Sequence, residues 1–158
     1  MAHPIIKRAS WPDLSQLTPL FDQYRIFYGQ ASNEAAANDF LKERISFGQS
    51  TIFLAYLPDQ VPSNAVGFTL LYPLFSSVRL TQNWVLNDLY IHPDFRRQQI
   101  AKELINTAIS FAKSTGAGFL QLETAHDNIP AQTLYEASGF RRQSADNNYL
   151  LYRIDLLK

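Results

Sequence analysis

Residues 88–102 read DLYIHPDFRRQQIAK, the end of one strand, a short turn and the start of one helix. The strand extends back to residue 83 (NWVLNDLYI), so that Trp84, Leu86, Asp88 and Tyr90 alternate with Val85, Asn87, Leu89 and Ile91. Period-two alternation puts the two sets on opposite faces. Both sets are largely apolar, which predicts a central strand covered on both sides. A helix is expected from about Gln98 to Thr115, its buried stripe made by Ile100, Ala101, Leu104, Ile105, Ala108 and Ala112 and its end marked by Gly116. Arg96 and Arg97 stand at the turn and Lys102 in the first helical turns. The first amides of a helix have no internal partner and the helix dipole favours negative charge there, so this junction is suited to an anion such as a phosphate.

Upstream, PIIKRAS reads as a first strand, and Ser10 with Asp13 three residues on resembles a capping box. Leu14, Leu17, Phe21, Tyr24 and Tyr28 follow at helical spacing, then Ala37, Phe40, Leu41 and Ile45 mark a second helix ended by Gly48. TIFLAYL, the turn signal Pro58-Asp59 and AVGFTLLYPLF read as a hairpin with a long connection. Downstream, FLQLET is a short strand and Pro130 opens a helix with Ala131, Leu134, Tyr135 and Ser138 on one side and Gly139 at its end. NYLLYRIDL is a final strand. Strands that first follow one another and later alternate with helices predict a mixed α/β sheet covered by helices on both faces.

The composition bounds the function. A chain of 158 residues is the size of one domain and can bury a core without disulfides or metals. Lys plus Arg equals Asp plus Glu at 14 each, so there is no global field for nucleic acid or an anionic membrane, and an anion site must be local. The absence of cysteine excludes disulfides, thiolate metal sites and a cysteine nucleophile, and fits a reduced cytoplasm. MAHPIIKRAS has no apolar stretch of signal-peptide length and no long apolar run follows, so a soluble, cytoplasmic protein that does not engage membranes is expected. His3, His92 and His126 lie far apart, and no metal site is expected from them.

The run Asp88-Leu89-Tyr90-Ile91-His92-Pro93, followed by Arg96, Arg97, Gln98, Gln99, Ile100 and Ala101, resembles the strand and pyrophosphate loop of the GNAT superfamily of N-acetyltransferases. That family's loop reads Gln/Arg-x-x-Gly-x-Gly/Ala. The resemblance implies a GNAT fold, α/β (α+β), with a mixed central sheet of about six to seven strands and about four flanking helices, as a single domain over residues 1–158. It implies acetyl-CoA as cofactor, with its pyrophosphate at Arg96, Arg97, Gln98, Gln99, Ile100, Ala101 and Lys102. Its pantetheine arm would lie against the strand at Leu89, Tyr90 and Ile91, on the exposed backbone groups of Leu89 and Ile91. Gln99 stands where the family usually has glycine, which lets the backbone approach the pyrophosphate. A glutamine there is expected on the helix with its side chain turned outward.

A second segment, DNIPAQTLYEASGF, is similar to the family's other cofactor segment at Asn128, Ala131, Leu134, Tyr135, Gly139 and Phe140. The resemblance puts Asn128, Ala131 and Tyr135 against the cofactor and makes Tyr135 the acid that protonates the departing thiolate, which is costly to expel bare in a dry pocket. Read without the family, Asn128 is a helix cap and Tyr135 a core residue. The enzyme class implied is acyl transfer to a primary amine of a small molecule or peptide, in a ternary complex. Polyamine acetyltransferases, whose EDLYV strand this one resembles, have a glutamate where Asn87 stands, and Asn87 cannot serve as a base. Asp88 matches the family aspartate and is the candidate for holding the ammonium, directly or through water; the alternative is a structural hydrogen-bond role. Tyr24, Arg25 and Tyr28, with Asn87, are the candidate acceptor-binding residues, and Phe75, Ser76 and Ser77 a candidate rim. The family is often homodimeric, so a homodimer is the assembly implied. The alternative is a non-catalytic acyl-CoA-binding module of the same fold; an unrelated nucleotide-binding domain would need a Gly-rich loop or a Walker lysine that the sequence lacks.

Overall fold

The computed structural model describes residues 3–60, 64–145 and 149–157. Met1, Ala2 and Asn148, included in the expected N-terminal and final segments, lie outside the described residues. The order is β1 (Ile5–Arg8), a 3-10 turn (Trp11–Asp13), α1 (Leu14–Phe27), α2 (Glu34–Ser46), β2 (Thr51–Tyr56), β3 (Ala65–Ser76) and β4 (Thr81–Ile91). A second 3-10 turn (Pro93–Phe95) leads to α3 (Ile100–Ser114), β5 (Phe119–Ala125), α4 (Ile129–Ala137), β6 (Arg141–Ala145) and β7 (Tyr149–Asp155). The sheet order is β1-β2-β3-β4-β5-β7-β6. The β4–β5 pair is parallel, whereas β1–β2, β5–β7 and β6–β7 are antiparallel. The mixed α/β class expected from the sequence is the class observed, and β4 is the middle strand.

The chain divides into two compact units, residues Met1–Leu70 with Asp88–Leu104, and Leu71–Asn87 with Ile105–Lys158. In the first, β1 runs into α1 through Asp13. Its carboxylate accepts from the Ser10 amide (2.8 Å), the Ser10 hydroxyl (3.1 Å) and Lys7 Nζ (2.7 Å). Burial pushes the Asp13 carboxyl up, but the bonds from Lys7 and Ser10 outweigh it and hold the group below its ordinary value. Leu14, Leu17, Leu20 and Phe21 of α1 are buried, as are Ala37 and Leu41 of α2. Close approach of β3 to β4 is set at Gly67, where a Cβ would stand 2.6 Å from Ile91 Cδ1 and 2.9 Å from the Tyr90 carbonyl oxygen.

In the second unit, Asn83 of β4 accepts from the amides of Gly118 (2.8 Å) and Phe119 (3.3 Å), fixing the entry to β5. Trp84 donates to Thr115 Oγ1 at 2.9 Å and meets Phe111 edge-on at 5.0 Å. Leu120, Leu122, Leu150 and Tyr152 face the buried side of the β5–β7 pair. Strand β6 was not expected. Its sequence, RRQSA, carries no apolar alternation, and it is defined by its pairing with β7.

One buried charge shapes the first unit beyond what periodicity indicated. Asp22, 3% exposed, accepts from the Ser32 hydroxyl (2.6 Å), the Asn33 amide (2.8 Å) and Arg25 Nη1 (3.3 Å), closing the turn between α1 and α2. These contacts, the Ser32 bond foremost, hold its carboxyl below the ordinary 3.8. Asp22→Ala is expected to cost about 2 kcal/mol at neutral pH in chemical unfolding, because a buried charged acceptor that closes the α1–α2 turn through three hydrogen bonds is lost. A depressed carboxylate contributes stability that is complete above its unfolded value and lost as pH falls through its folded value. The deficit of the variant should therefore be constant above pH 3.8 and shrink below it; a deficit unchanged into strong acid would contradict this account.

Candidate active site

The candidate phosphate-binding junction lies in the first unit. His92 caps the 3-10 turn by accepting the Asp94 amide at its Nδ1 (3.2 Å), and Arg96 follows in extended conformation (φ −70°, ψ 161°). Arg97 and Gln99 both take φ of +62°, the left-handed region. Contrary to the expectation from the sequence, Gln99 is not helical: α3 begins at Ile100, and the Gln99 carbonyl accepts the first helical bond from the Glu103 amide at 3.1 Å. The conformation is one glycine adopts without cost and other residues adopt at about 1–2 kcal/mol. It leaves the amides of Ile100, Ala101 and Lys102 without carbonyl partners inside the helix. Ile100 is buried and Ala101 and Gln98 are half-buried, while Arg97 and Lys102 are exposed. No hydrogen bond or ion pair engages the Arg97 or Lys102 side chain among the described residues.

Arg96 differs from its neighbours. Its Nε donates to the Ile91 carbonyl at 3.0 Å, and its guanidinium lies 5.6 Å from the Tyr90 ring and 5.9 Å from the Phe27 ring. It braces the turn against the strand it leaves, and one lone pair of the Ile91 carbonyl is already committed. Asp88 is 5% exposed, and its carbonyl accepts from Thr69 Oγ1 at 2.8 Å. The β4 faces are unequal: Trp84, Leu86, Asp88 and Tyr90 are buried, but Val85 and Leu89 are half-buried and Asn87 exposed. The parallel ladder of β4 with β5 comprises Trp84↔Leu120 and Val85↔Gln121, although β4 continues to Ile91 and β5 to Ala125.

Among the acceptor candidates, Tyr24 packs edge-on against Tyr28 (4.9 Å), Phe68 (5.8 Å) and Tyr90 (6.2 Å). Tyr28 itself is 65% exposed. Arg25 is tied to Asp22 and to the Ala31 carbonyl (3.4 Å), so it serves the α1–α2 turn. The structure therefore joins Tyr24, Tyr28, Tyr90 and Arg96 in one aromatic cluster and sets Arg25 apart as a brace. Phe27, Phe68 and Thr69, not singled out in the sequence, belong to that cluster or support β4; an apolar residue at strand or helix spacing carries no mark that distinguishes it from ordinary core.

In the second unit, Asn128 Oδ1 caps α4 through the Ala131 amide at 3.2 Å. Tyr135 is 9% exposed, between Phe140 (6.1 Å) and Tyr152 (6.3 Å). Its buried neighbour on α4 is Gln132, whereas Ala131 and Leu134 are half-buried. Gln132 Nε2 donates to the carbonyls of Ala125 (3.2 Å) and His126 (2.9 Å), fixing α4 to the end of β5. Phe75 and Ser76 line a cleft in this unit and Ser77 lies on the adjoining turn. Among the described residues, no group of three or more His, Asp or Glu could hold a metal ion, and no helix is long and apolar enough to cross a membrane.

Residues 16–140 match the family model described as the acetyltransferase (GNAT) family, and the chain belongs to that family and to its acyltransferase enzyme class. It is 38% identical, over 92% of its length and 95% of the relative's, to Uncharacterized N-acetyltransferase YhfO of Bacillus subtilis (strain 168). The crystal structure of a probable acetyltransferase superposes with a TM-score of 0.83 at 38% identity, covering 92% of this chain and 95% of that one. Arabidopsis thaliana NAA60 in complex with acetyl-CoA shares the fold, with a TM-score of 0.76 at 16% identity over 98% and 99% of the two chains.

The left-handed Gln99 generates a direct test. Gln99→Gly removes the steric penalty and Gln99→Ala retains it, so after the extra unfolded-chain entropy of glycine the Gly variant should be the more stable by about 1 kcal/mol in thermal or chemical unfolding. An Ala variant as stable as the Gly variant would show that Gln99 is not held at positive φ.

Proposed function

We propose that the chain transfers the acetyl group of acetyl-CoA directly to a primary amine of a small molecule or peptide, within a ternary complex. The observation that carries this reading is the start of α3: three helix amides without internal partners, behind a left-handed turn, beside the unengaged Arg97 and Lys102. In a chain of zero formal net charge, that is a local seat for the pyrophosphate. Gln98, Gln99, Ile100, Ala101 and Lys102 would supply the loop and its amides, and Arg96 would act by bracing it. Leu89, Tyr90 and Ile91 would offer the strand to the pantetheine arm, with the Ile91 carbonyl sharing its second lone pair. Asn128 and Ala131 would flank the cofactor from α4. The binding of acetyl-CoA by Arabidopsis NAA60, a protein of the same fold, supports the assignment.

The reaction needs a neutral amine, whose nitrogen attacks the thioester carbonyl; the C–N bond forms, the C–S bond breaks, and the thiolate takes a proton. Tyr135 is the proposed proton donor. Asp88 is buried on the closed face of β4, so its proposed role is to hold the ammonium through water, and solvent takes the amine's proton. Tyr24 and Tyr28, with the exposed Asn87, are the proposed acceptor contacts. Cytoplasmic residence and homodimeric assembly complete the proposal. A non-catalytic acyl-CoA module drew support from Gln99, but Gln99 keeps the left-handed backbone that glycine would adopt, so that ground is weakened.

Acetyl-CoA should raise the melting temperature, since a ligand bound by the folded state alone stabilises it, and Arg97→Glu should reduce that shift while leaving the unliganded melting temperature unchanged. No shift at millimolar acetyl-CoA would reject the cofactor assignment. With an acceptor found by scoring amines for free-thiol release, Tyr135→Phe should lower kcat at least about tenfold with little change in acetyl-CoA affinity, because positioned proton transfer contributes about 10²–10⁴-fold. Full turnover in that variant, with chemistry rate-limiting, would remove Tyr135 as the acid.

A further inference from the structure

The second unit contains a cleft of about 330 Å³ whose chemistry is unlike that of the α3 junction. Leu74, Phe75 and Phe119 form apolar walls, and Arg79 and Arg153 supply positive charge beside Ser76. Asn83 lies in the lining, but its side-chain oxygen is committed to the Gly118 and Phe119 amides, so it holds the floor. Arg153 lies over an aromatic ring, its guanidinium carbon 4.0 Å from the Phe119 centroid, and its Nη2 donates to Gln121 Oε1 at 3.0 Å. Its Nε is buried and has no hydrogen-bond partner. No carboxylate lines the cleft, and among the described residues neither Arg153 nor Arg79 forms an ion pair. Asp155, opposite Phe119 in the register, pairs with neither, and Arg141, opposite Arg153, adds to the positive side.

The guanidinium charges of Arg153 and Arg79 have no anionic partner among the described residues, and an entering anion would supply one. The planar fork suits a carboxylate, which can accept two parallel N–H bonds. The apolar walls suit an organic group attached to it. The cleft offers no helix-start amides, which a bare tetrahedral anion would favour. We propose that this cleft binds a small carboxylate bearing an aromatic or other apolar group.

The site is separate from the proposed acid. Tyr135 packs on Tyr152, and Tyr152 and Arg153 are successive residues of β7, so they project to opposite faces of the sheet. The inference stands independently of acetyl transfer.

The test is titration of the intact protein with phenylacetate, its neutral counterpart phenylethanol and inorganic phosphate, followed by backbone-amide NMR. Saturable shifts with phenylacetate are expected around Ser76, Phe119, Gln121 and Arg153, with phenylethanol bound at least about tenfold more weakly, as loss of a charge-assisted pair implies. Arg153→Gln and Arg153→Lys should weaken phenylacetate about tenfold, Lys because it lacks the planar fork. Arg79 is exposed on the β3–β4 turn, so Arg79→Gln should fold and bind measurably more weakly even if the Arg153 variants do not fold. Tyr135→Phe should bind as the wild type does. The proposal is overturned by absence of saturable shifts in the millimolar range, by phosphate or phenylethanol matching phenylacetate, or by unchanged affinity in folded Arg variants.

Discussion

At Gly67 the backbones of β3 and β4 come so close that even a methyl group would meet the Tyr90 carbonyl at 2.9 Å. The contact with Ile91 Cδ1 could relax by side-chain movement, but a backbone oxygen can retreat only if its strand moves. With β4 seated there, the Val66 carbonyl receives the His92 amide at 2.8 Å and Thr69 Oγ1 reaches the Asp88 carbonyl. The Ile91 carbonyl then faces Arg96, whose bond to it fixes where the turn departs. The position of the α3 amides therefore depends on a residue that carries no functional group.

Most of the regular structure was legible because each element obeys one period. Leu14, Leu17 and Phe21 of α1 and the closed face of β4 are buried where spacing puts them, whereas Tyr28, on the same expected stripe, is 65% exposed just past the end of the helix. Errors occurred where something other than apolar periodicity decides the structure. Strand β6 is polar, and its pairing with β7 defines it. The start of α3 is two residues later than expected because positive φ at Arg97 and Gln99 cannot be read from residues that ordinarily avoid it. Arg25 and Gln132 show the same limit in side chains. Each looks like a surface or ligand-facing polar group, yet Arg25 closes a turn on Asp22 and Gln132 satisfies two carbonyls at the end of β5. The Ala31, Ala125 and His126 carbonyls that these side chains reach are backbone groups that every residue offers, so no residue type marks them in the sequence.

The family glycine is replaced by Gln99 without changing the backbone state that the glycine would permit. That conformation must be imposed by its surroundings: Arg96 braces the entry, and Ile100, 1% exposed, anchors the first residue of α3 in the core. Strain of this size persists where packing over-determines it, and it is concentrated at functional turns. Family membership accordingly survives the loss of a motif residue, because the motif records a backbone shape and several contacts enforce that shape.

The two positively charged places differ in the geometry of what they can hold. At α3 the donors are amides that converge from a helix end, with the exposed Arg97 and Lys102 side chains adding charge, an arrangement that suits the proposed large, multiply charged pyrophosphate. In the second unit the donor is a planar guanidinium held by Phe119 and Gln121 beside apolar walls. Rigidity there selects by shape as well as charge, since only an acceptor lying in the guanidinium plane can use its parallel N–H groups. Zero formal net charge sharpens both sites, because neither works against a background field that would draw anions to the rest of the surface.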